Sequence, residues 1–257
     1  MKLNKIQQDL VDYNYILSMG LLTSNTISGE YFESYKFSIY HHGVPDRRFN
    51  VIFIKENTAK PEKLLLKGEQ FFASRNLPFR VSFKYGLEKD FLPVLSDKGY
   101  QEKRSDIAMT LMDLPDNNIY QKDLNIKRVS TAEELADFQE VAEKSYSLPL
   151  GVGPYAVTER ILNLPDVEMF IGYAAEQPAS ISMLFQTGQV AGIYWVGTLE
   201  KFRNRGFGKE ITAAPLVAGK KRGCTFASLQ ASDMGRPVYE KMGFDNPYNY
   251  RSFHSPE

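Results

Sequence analysis

AGIYWVGTLEKFRNRGFG, residues 191–208, is the stretch whose reading decides the fold. Its first part, Ile193 to Thr198, is rich in β-branched and aromatic side chains, which suit the pleated surface of a strand. Arg203 to Gly208 is basic and carries two glycines. Lys209 to Arg222 then places Ile211, Ala214 and Ala218 three and four residues apart, the spacing of one helix face. A strand, a glycine loop and a helix in this order aim backbone N–H groups at an anion. Gly206 and Gly208 let the loop approach closely, and the helix start adds unpaired donors and the positive end of its dipole. The stretch reads as a cradle for a phosphorylated cofactor.

Two familiar phosphate loops do not fit. A P-loop needs Gly-Lys followed by Ser or Thr, and here Gly208-Lys209 is followed by Glu210, with Arg203 in the place of the first glycine. A dinucleotide fingerprint needs a third glycine where Ile211 stands. The pattern that fits is Arg203-x-x-Gly206-x-Gly208 between a strand and a helix. Taken alone, these positions also describe a plain glycine-rich turn entering a helix. A second motif lies beyond a short apolar strand at Thr225 to Gln230: Ser232, Gly235, Tyr239, Gly243 and Phe244, with Gly243 placed to end a short helix in a left-handed turn. Pro237 is tolerated only in the first turn of that helix.

The two motifs together resemble the acetyl-CoA loop and the C-terminal Asn-x-x-Ala-x-x-x-Tyr-x-x-x-Gly-Phe segment of the GNAT superfamily of N-acetyltransferases. The resemblance runs from Asn125 to about Phe253. Ser232 departs from it where Asn is usual, and Gly235 where Ala is usual. The resemblance implies a mixed-sheet α/β (α+β) fold with acetyl-CoA as co-substrate. It places the backbone of Val196, Gly197 and Thr198 along the pantetheine arm, with an N–H there polarising the carbonyl. It places the loop Arg203, Asn204, Arg205, Gly206, Phe207, Gly208 and Lys209 on the pyrophosphate, with charge from Arg203 and Arg205, and Ser232 beside the cofactor. Tyr239 becomes the candidate general acid for the leaving thiolate; its alternative is a packing tyrosine on a terminal helix.

Composition narrows the rest. The 257 residues carry 31 Lys plus Arg and 31 Asp plus Glu, so no overall field draws the chain to nucleic acid or to an anionic membrane. The N-terminus has no continuous apolar run of a signal peptide, and no segment approaches the ~20 apolar residues of a membrane span. A single cysteine, Cys224, allows no internal disulfide and suits a reducing cytoplasm. The three histidines, His41, His42 and His254, show no metal-ligand spacing, so no metal is expected.

Taken in order, residues 1–24 read as a helix with Ile6, Leu10, Tyr13 and Leu17 on one face, ending near Gly20. Tyr35 to Tyr40, Phe49 to Ile54, Phe79 to Phe83 and Asp106 to Met112 read as strands, with helices from Pro61 to Arg75 and Lys89 to Ser96. An internal repeat is visible here. Pro93 to Tyr100 aligns without a gap on Pro237 to Phe244, each after a strand-like segment, which suggests two copies of one fold. The first copy is degenerate: no glycine precedes its Pro61 helix, and Leu95 stands where the second has Tyr239. The boundary falls in the turn-rich Pro115 to Leu124, giving a degenerate N-terminal domain, 1–118, and a catalytic domain, 119–257. In the second, Ile126 to Val129 reads as a strand and Ser130 to Glu133 as a capping box before a helix bearing Leu135, Phe138 and Ala142. A second helix spans Tyr155 to Asn163. Strands follow at Met169 to Ala175, Ser180 to Gln186 and Val190 to Thr198. Tyr146 and Tyr155 are candidate walls of the acceptor site or ordinary core aromatics. Pro215 and Gly219, inside the helix after the loop, imply a kink or a short helix.

Acetyl transfer to an amine also needs a base, and the strand from Val190 to Thr198 has no acidic residue. Glu168, Glu200, Asp233 or a water chain remain. The reading is an acetyl-CoA-dependent N-acetyltransferase acting on a primary amine of a small molecule or peptide by direct attack in a ternary complex. Its alternative is a non-catalytic acyl-CoA-binding sensor or scaffold. Oligomeric state is not legible.

Overall fold

The computed structural model describes residues 3–103 and 106–256, so the first two residues of the helix expected over 1–24 lie outside them. In chain order the elements are α1 (Lys5–Ser24), β1 (Glu30–Glu33), β2 (Phe37–His41), β3 (Asn50–Ile54), α2 (Pro61–Ala73), β4 (Arg80–Phe83), α3 (Leu92–Asp97), β5 (Gln101–Glu102), β6 (Asp106–Leu111) and β7 (Asn125–Arg128). Then come α4 (Ala132–Ser145), α5 (Val152–Ala156), α6 (Glu159–Leu162), β8 (Val167–Ala174), β9 (Gln177–Thr187), β10 (Val190–Thr198), α7 (Phe207–Lys221), β11 (Phe226–Ala231), α8 (Arg236–Glu240), β12 (Asp245–Tyr250) and β13 (Ser252–His254). They form two mixed sheets, with strand orders β1-β2-β3-β4-β13-β5 and β12-β6-β11-β10-β9-β8-β7. The mixed α/β class expected from the sequence is the class observed.

Two compact units result, Met1–Ser18 with Ala108–Pro247, and Met19–Ile107 with Tyr248–Glu257. Beside the expected division into 1–118 and 119–257, the chain ends trade places. The start of α1 and residues 108–118 count with the second half, and the C-terminal strand β13 sits between β4 and β5 in the sheet of the first. Both sheets share one core order: two antiparallel pairings, β1–β2–β3 and β8–β9–β10, then a helix and a parallel strand, β4 and β11. The aligned segments close alike. Tyr100 N–H donates to Leu95 O and Phe244 N–H to Tyr239 O, while Gly99 and Gly243 take positive φ (76° and 92°) at the same place. The two aligned segments thus share a Schellman-type helix end.

In the unit holding β7–β12, α7 covers one face of the sheet and α4 with the start of α1 the other. Gly219 lets α7 settle on β10, because a Cβ there would lie 2.7 Å from Ala191 Cβ. Pro215 does not cut α7 short, one of the two outcomes expected, since the helix runs on to Lys221. It removes the N–H that would reach Ile211 O, and the Ser182 hydroxyl of β9 donates to that carbonyl instead, at 2.8 Å. The capping box of α4 is one residue later than expected, with Thr131 as N-cap and Glu134 reaching back. The helix expected over Tyr155 to Asn163 is two short ones: Val157 is extended and buried, its carbonyl taken by Gln139 Nε2 at 2.6 Å.

The helix α1 is present and runs past Gly20 to Ser24, but it buries a different face. Ile6 and Tyr13 are exposed, while Val11, Asn14, Tyr15, Ser18 and Leu22 are buried. Two of those five are polar, and hydrogen bonds compensate them. Asn14 Nδ2 donates to Phe185 O (3.1 Å) and Thr187 Oγ1 (2.9 Å), and its Oδ1 accepts from Tyr194 O–H (2.6 Å).

Candidate active site

The strands β10 and β11 run parallel but pair only from Val190↔Phe226 to Gly192↔Ser228. Both continue beyond that rung, so a gap opens between them along Ile193 to Thr198. Within the gap β10 is bulged: its register on β9 slips between Tyr194 and Gly197, and Trp195 takes a left-handed φ of 51°. A tryptophan in that region stores backbone strain of order 1–3 kcal/mol, held by its surroundings. Of the expected contact strip, Val196 lies in the bulge, while Gly197 and Thr198 are back in register on β9 opposite Ile181 and Ser180.

The loop reaches α7 through two more positive-φ residues, Asn204 (63°) and Gly206 (89°). Gly206 is the N-cap and has no side chain to cap with. The N–H groups of Gly206, Phe207 and Gly208 have no partner among the described residues, and they stand at the positive end of a 15-residue helix. A Cβ on Gly208 would meet only Val238 Cγ1, at 3.8 Å, so the chain's own packing does not require a glycine there. The flanking side chains are committed locally. The Arg203 guanidinium donates to Thr198 O and Ser145 O, Arg205 lies over the Phe202 and Phe207 rings, and Lys209 Nζ lies 5.6 Å from the Tyr120 ring centre. What this loop offers an anion is foremost its backbone.

Tyr239 is buried on α8, its ring packed on Phe244, and its hydroxyl has no hydrogen-bond partner among the described residues. Burial holds that hydroxyl well above the usual tyrosine range, so it is protonated at neutral pH. The hydroxyl of Tyr146, raised by burial and then by Tyr239, lies close enough to feel it. Tyr146 O–H donates to Val196 O at 3.0 Å, and Tyr155 is half-buried on α5. Ser232 uses its hydroxyl to accept from Gly235 N–H at 2.9 Å.

Of the three candidate bases, one is held elsewhere and two are open to solvent. Glu168 is ion-paired with Arg222 (2.8 Å), just beyond the far end of α7, and with Arg128. Glu200 and Asp233 are exposed. Sequence reasoning missed Glu210, which is buried in the first turns of α7. Its Oε2 accepts from the N–H groups of Lys122, Asp123 and Leu124, and its backbone carbonyl accepts from Asn118. The only signal was an acid directly after the glycine loop. Among the described residues no cluster could hold a metal ion, and no helix is long and apolar enough to cross a membrane.

A strand bulged beside a gap, followed by a helix start with unpaired N–H groups, is what this part of the chain presents. Residues 135–244 match the acetyltransferase (GNAT) family model. The fold is similar to a GCN5-related N-acetyltransferase from Kribbella flavida, at 16% identity and TM-score 0.72 over 95% of both chains. It is also similar to a functionally unknown conserved protein from Staphylococcus epidermidis (19%, TM-score 0.64, 90% of this chain and 95% of that one). A third similar structure is a GCN5-related N-acetyltransferase from Sphaerobacter thermophilus (12%, TM-score 0.64, 86% and 80%). Comparison with curated protein sequences finds no match.

Proposed function

We propose that the chain is an acetyl-CoA-dependent N-acetyltransferase whose single site lies between β10, β11 and the start of α7. The observation that carries this reading is the coincidence of the β10/β11 gap with three unpartnered N–H groups at Gly206, Phe207 and Gly208. A pyrophosphate accepts from those donors, and the pantetheine arm runs along the open side of β10 like an added strand. The thioester carbonyl then lies at the bulge, where a backbone N–H stabilises the oxyanion. A primary amine of a small molecule or peptide attacks the carbonyl carbon, the C–S bond breaks, and the Tyr239 hydroxyl donates its proton to the thiolate. The amine must arrive neutral or lose its proton to water or to an exposed carboxylate such as Glu200 or Asp233, since Glu168 is held by Arg222 and Arg128. A small amine in a reducing cytoplasm is the acceptor this reading takes.

A sensor that binds acyl-CoA without turnover is the second reading. It is favoured by Ser232, whose hydroxyl is taken up by Gly235, and by the lack of an acid on β10. Release of free CoA thiol, measured against a panel of amines, separates the two. The enzyme reading predicts amine-dependent release for at least one acceptor. Binding with no release for any acceptor contradicts it.

A further inference from the structure

The C-terminal half of α7 does not close down on the edge of its sheet. A groove of ≈ 350 Å³ remains between this half of the helix and the strands β7 and β8, of which β7 is the last in its sheet. That volume lies within the range of small-molecule sites, ~300–1,000 Å³. Ile126 and Phe170 line it from the sheet, and Ala214, Val217 and Ala218, three and four residues apart on one side of α7, line it from the helix. Its end at Lys221 lies about 20 Å along α7 from Gly208 at the helical rise. None of the lining residues belongs to the β10 bulge or to the glycine loop, so this site stands whether or not acetyl-CoA binds at the other.

The charged groups of the rim are Arg128, Lys221 and Arg222 against Glu168 alone, three cations to one anion. Arg222 is committed: Nε donates to Gln186 Oε1 (2.7 Å), Nη1 to Glu168 Oε1 (2.8 Å) and Nη2 to Pro165 O (2.6 Å). The neutral polar groups are committed too, Asn118 to Glu210 O and Gln121 to Leu124 O. The other two cations are not. Arg128 has a 64% exposed side chain and meets Glu168 Oε2 only at 3.6 Å, beyond hydrogen-bond reach. The exposed Lys221 ammonium has no partner among the described residues. Arg128 stands on β7 and Lys221 on α7, on opposite walls. An occupant that matches this lining has an apolar body and an anionic head. We propose that the groove is a ligand site for an apolar carboxylate, its body on Ile126, Phe170, Val217 and Ala218 and its carboxylate between Arg128 and Lys221. A planar carboxylate fits the guanidinium fork of Arg128 with two parallel hydrogen bonds, and the ammonium adds a point charge.

Titration calorimetry with 2-naphthoate tests it, with the uncharged 2-naphthylmethanol as comparison. The wild-type chain should take up one naphthoate and bind the alcohol about tenfold more weakly, since the alcohol cannot use the two cations. Arg128 and Lys221 both face solvent, so the double variant Arg128→Gln/Lys221→Gln should melt like wild type. Its naphthoate affinity should fall about tenfold or more, to that of the alcohol. Ala218→Phe, which fills the groove from the helix, should abolish uptake of both probes. No saturable binding of naphthoate to the folded wild-type chain overturns the proposal. Unchanged affinity in the double variant also overturns it and places naphthoate elsewhere on the chain. So does a wild-type dimer in solution that Ala218→Phe turns into a monomer, because the groove would then hold a second copy.

Discussion

At the scale of single residues, Tyr239 and Gly208 make the separable claims. Tyr239→Phe keeps the packing on Phe244 and removes a hydroxyl that bonds nothing within the described chain. Stability and acetyl-CoA affinity should barely move, whereas turnover should fall by ~10²–10⁴-fold, the usual worth of a positioned acid. Melting temperature, affinity and turnover measured on the same variant decide it, and equal turnover removes Tyr239 from the mechanism. Gly208→Ala meets only an ordinary contact with Val238 Cγ1, so it should fold normally and still lose cofactor affinity by tenfold or more, because a methyl would intrude between the N–H groups and their anion. Gly206 is less clean to test: its φ of 89° strains any substitution whatever the ligand. Both glycines and Tyr239 were legible in the sequence because their spacing is local. The bond from Tyr146, which the sequence offered only as a wall or a core aromatic, to Val196 O was not, since a hydroxyl reaching a carbonyl fifty positions away leaves no periodicity.

At the scale of elements, α7 shows how a helix survives an internal proline. Ser182→Ala should orphan Ile211 O, costing about 1–2 kcal/mol and lowering the melting temperature by several degrees without changing turnover per folded molecule. Pro215→Ala restores an N–H to that carbonyl, so in the double variant the loss of Ser182 should cost less than alone; calorimetry on the cycle checks it. The sequence marked Pro215 as an anomaly and could not show its partner on another element. The face of α1 was misread for a related reason. Hydrophobic spacing picks Ile6 and Tyr13, while the buried stripe includes Asn14 and Ser18, whose bonds only tertiary contact supplies. In the other unit, β2 ends beside a fully buried imidazole. Burial, then neighbouring His41, holds His42 down at about 3, with Nε2 on Thr23 Oγ1 and Nδ1 unpartnered. From about pH 6.5 down to 3 the unfolded chain takes up a proton that the folded one refuses, so stability falls as pH drops. By pH 4.5 the loss is about 3 kcal/mol relative to pH 7 or above. The melting temperature of His42→Gln should fall less steeply over that range, and an equal slope would contradict the assignment.

At the scale of the whole molecule, the two sheets repeat one order of elements and only one of them opens. The strands β3 and β4 are paired along Val51↔Arg80 to Ile54↔Phe83, so no gap parallels that between β10 and β11. The helix α2 begins at Lys60 and Pro61, where proline brings no N–H and no glycine brings the backbone close. The repeat at Pro93 and Pro237 was legible because its helix ends use the same glycine. The placement of β6 and β13 in the sheets of the opposite halves was not, because strand pairing between distant segments has no local signature. The account's central claim is one acetyl-CoA site per chain, at the start of α7. Titration calorimetry of the wild-type chain and Gly208→Ala with acetyl-CoA tests it most directly. The prediction is one site per chain, weakened tenfold or more in the variant; two equivalent sites, or one whose affinity Gly208→Ala leaves unchanged, would contradict it.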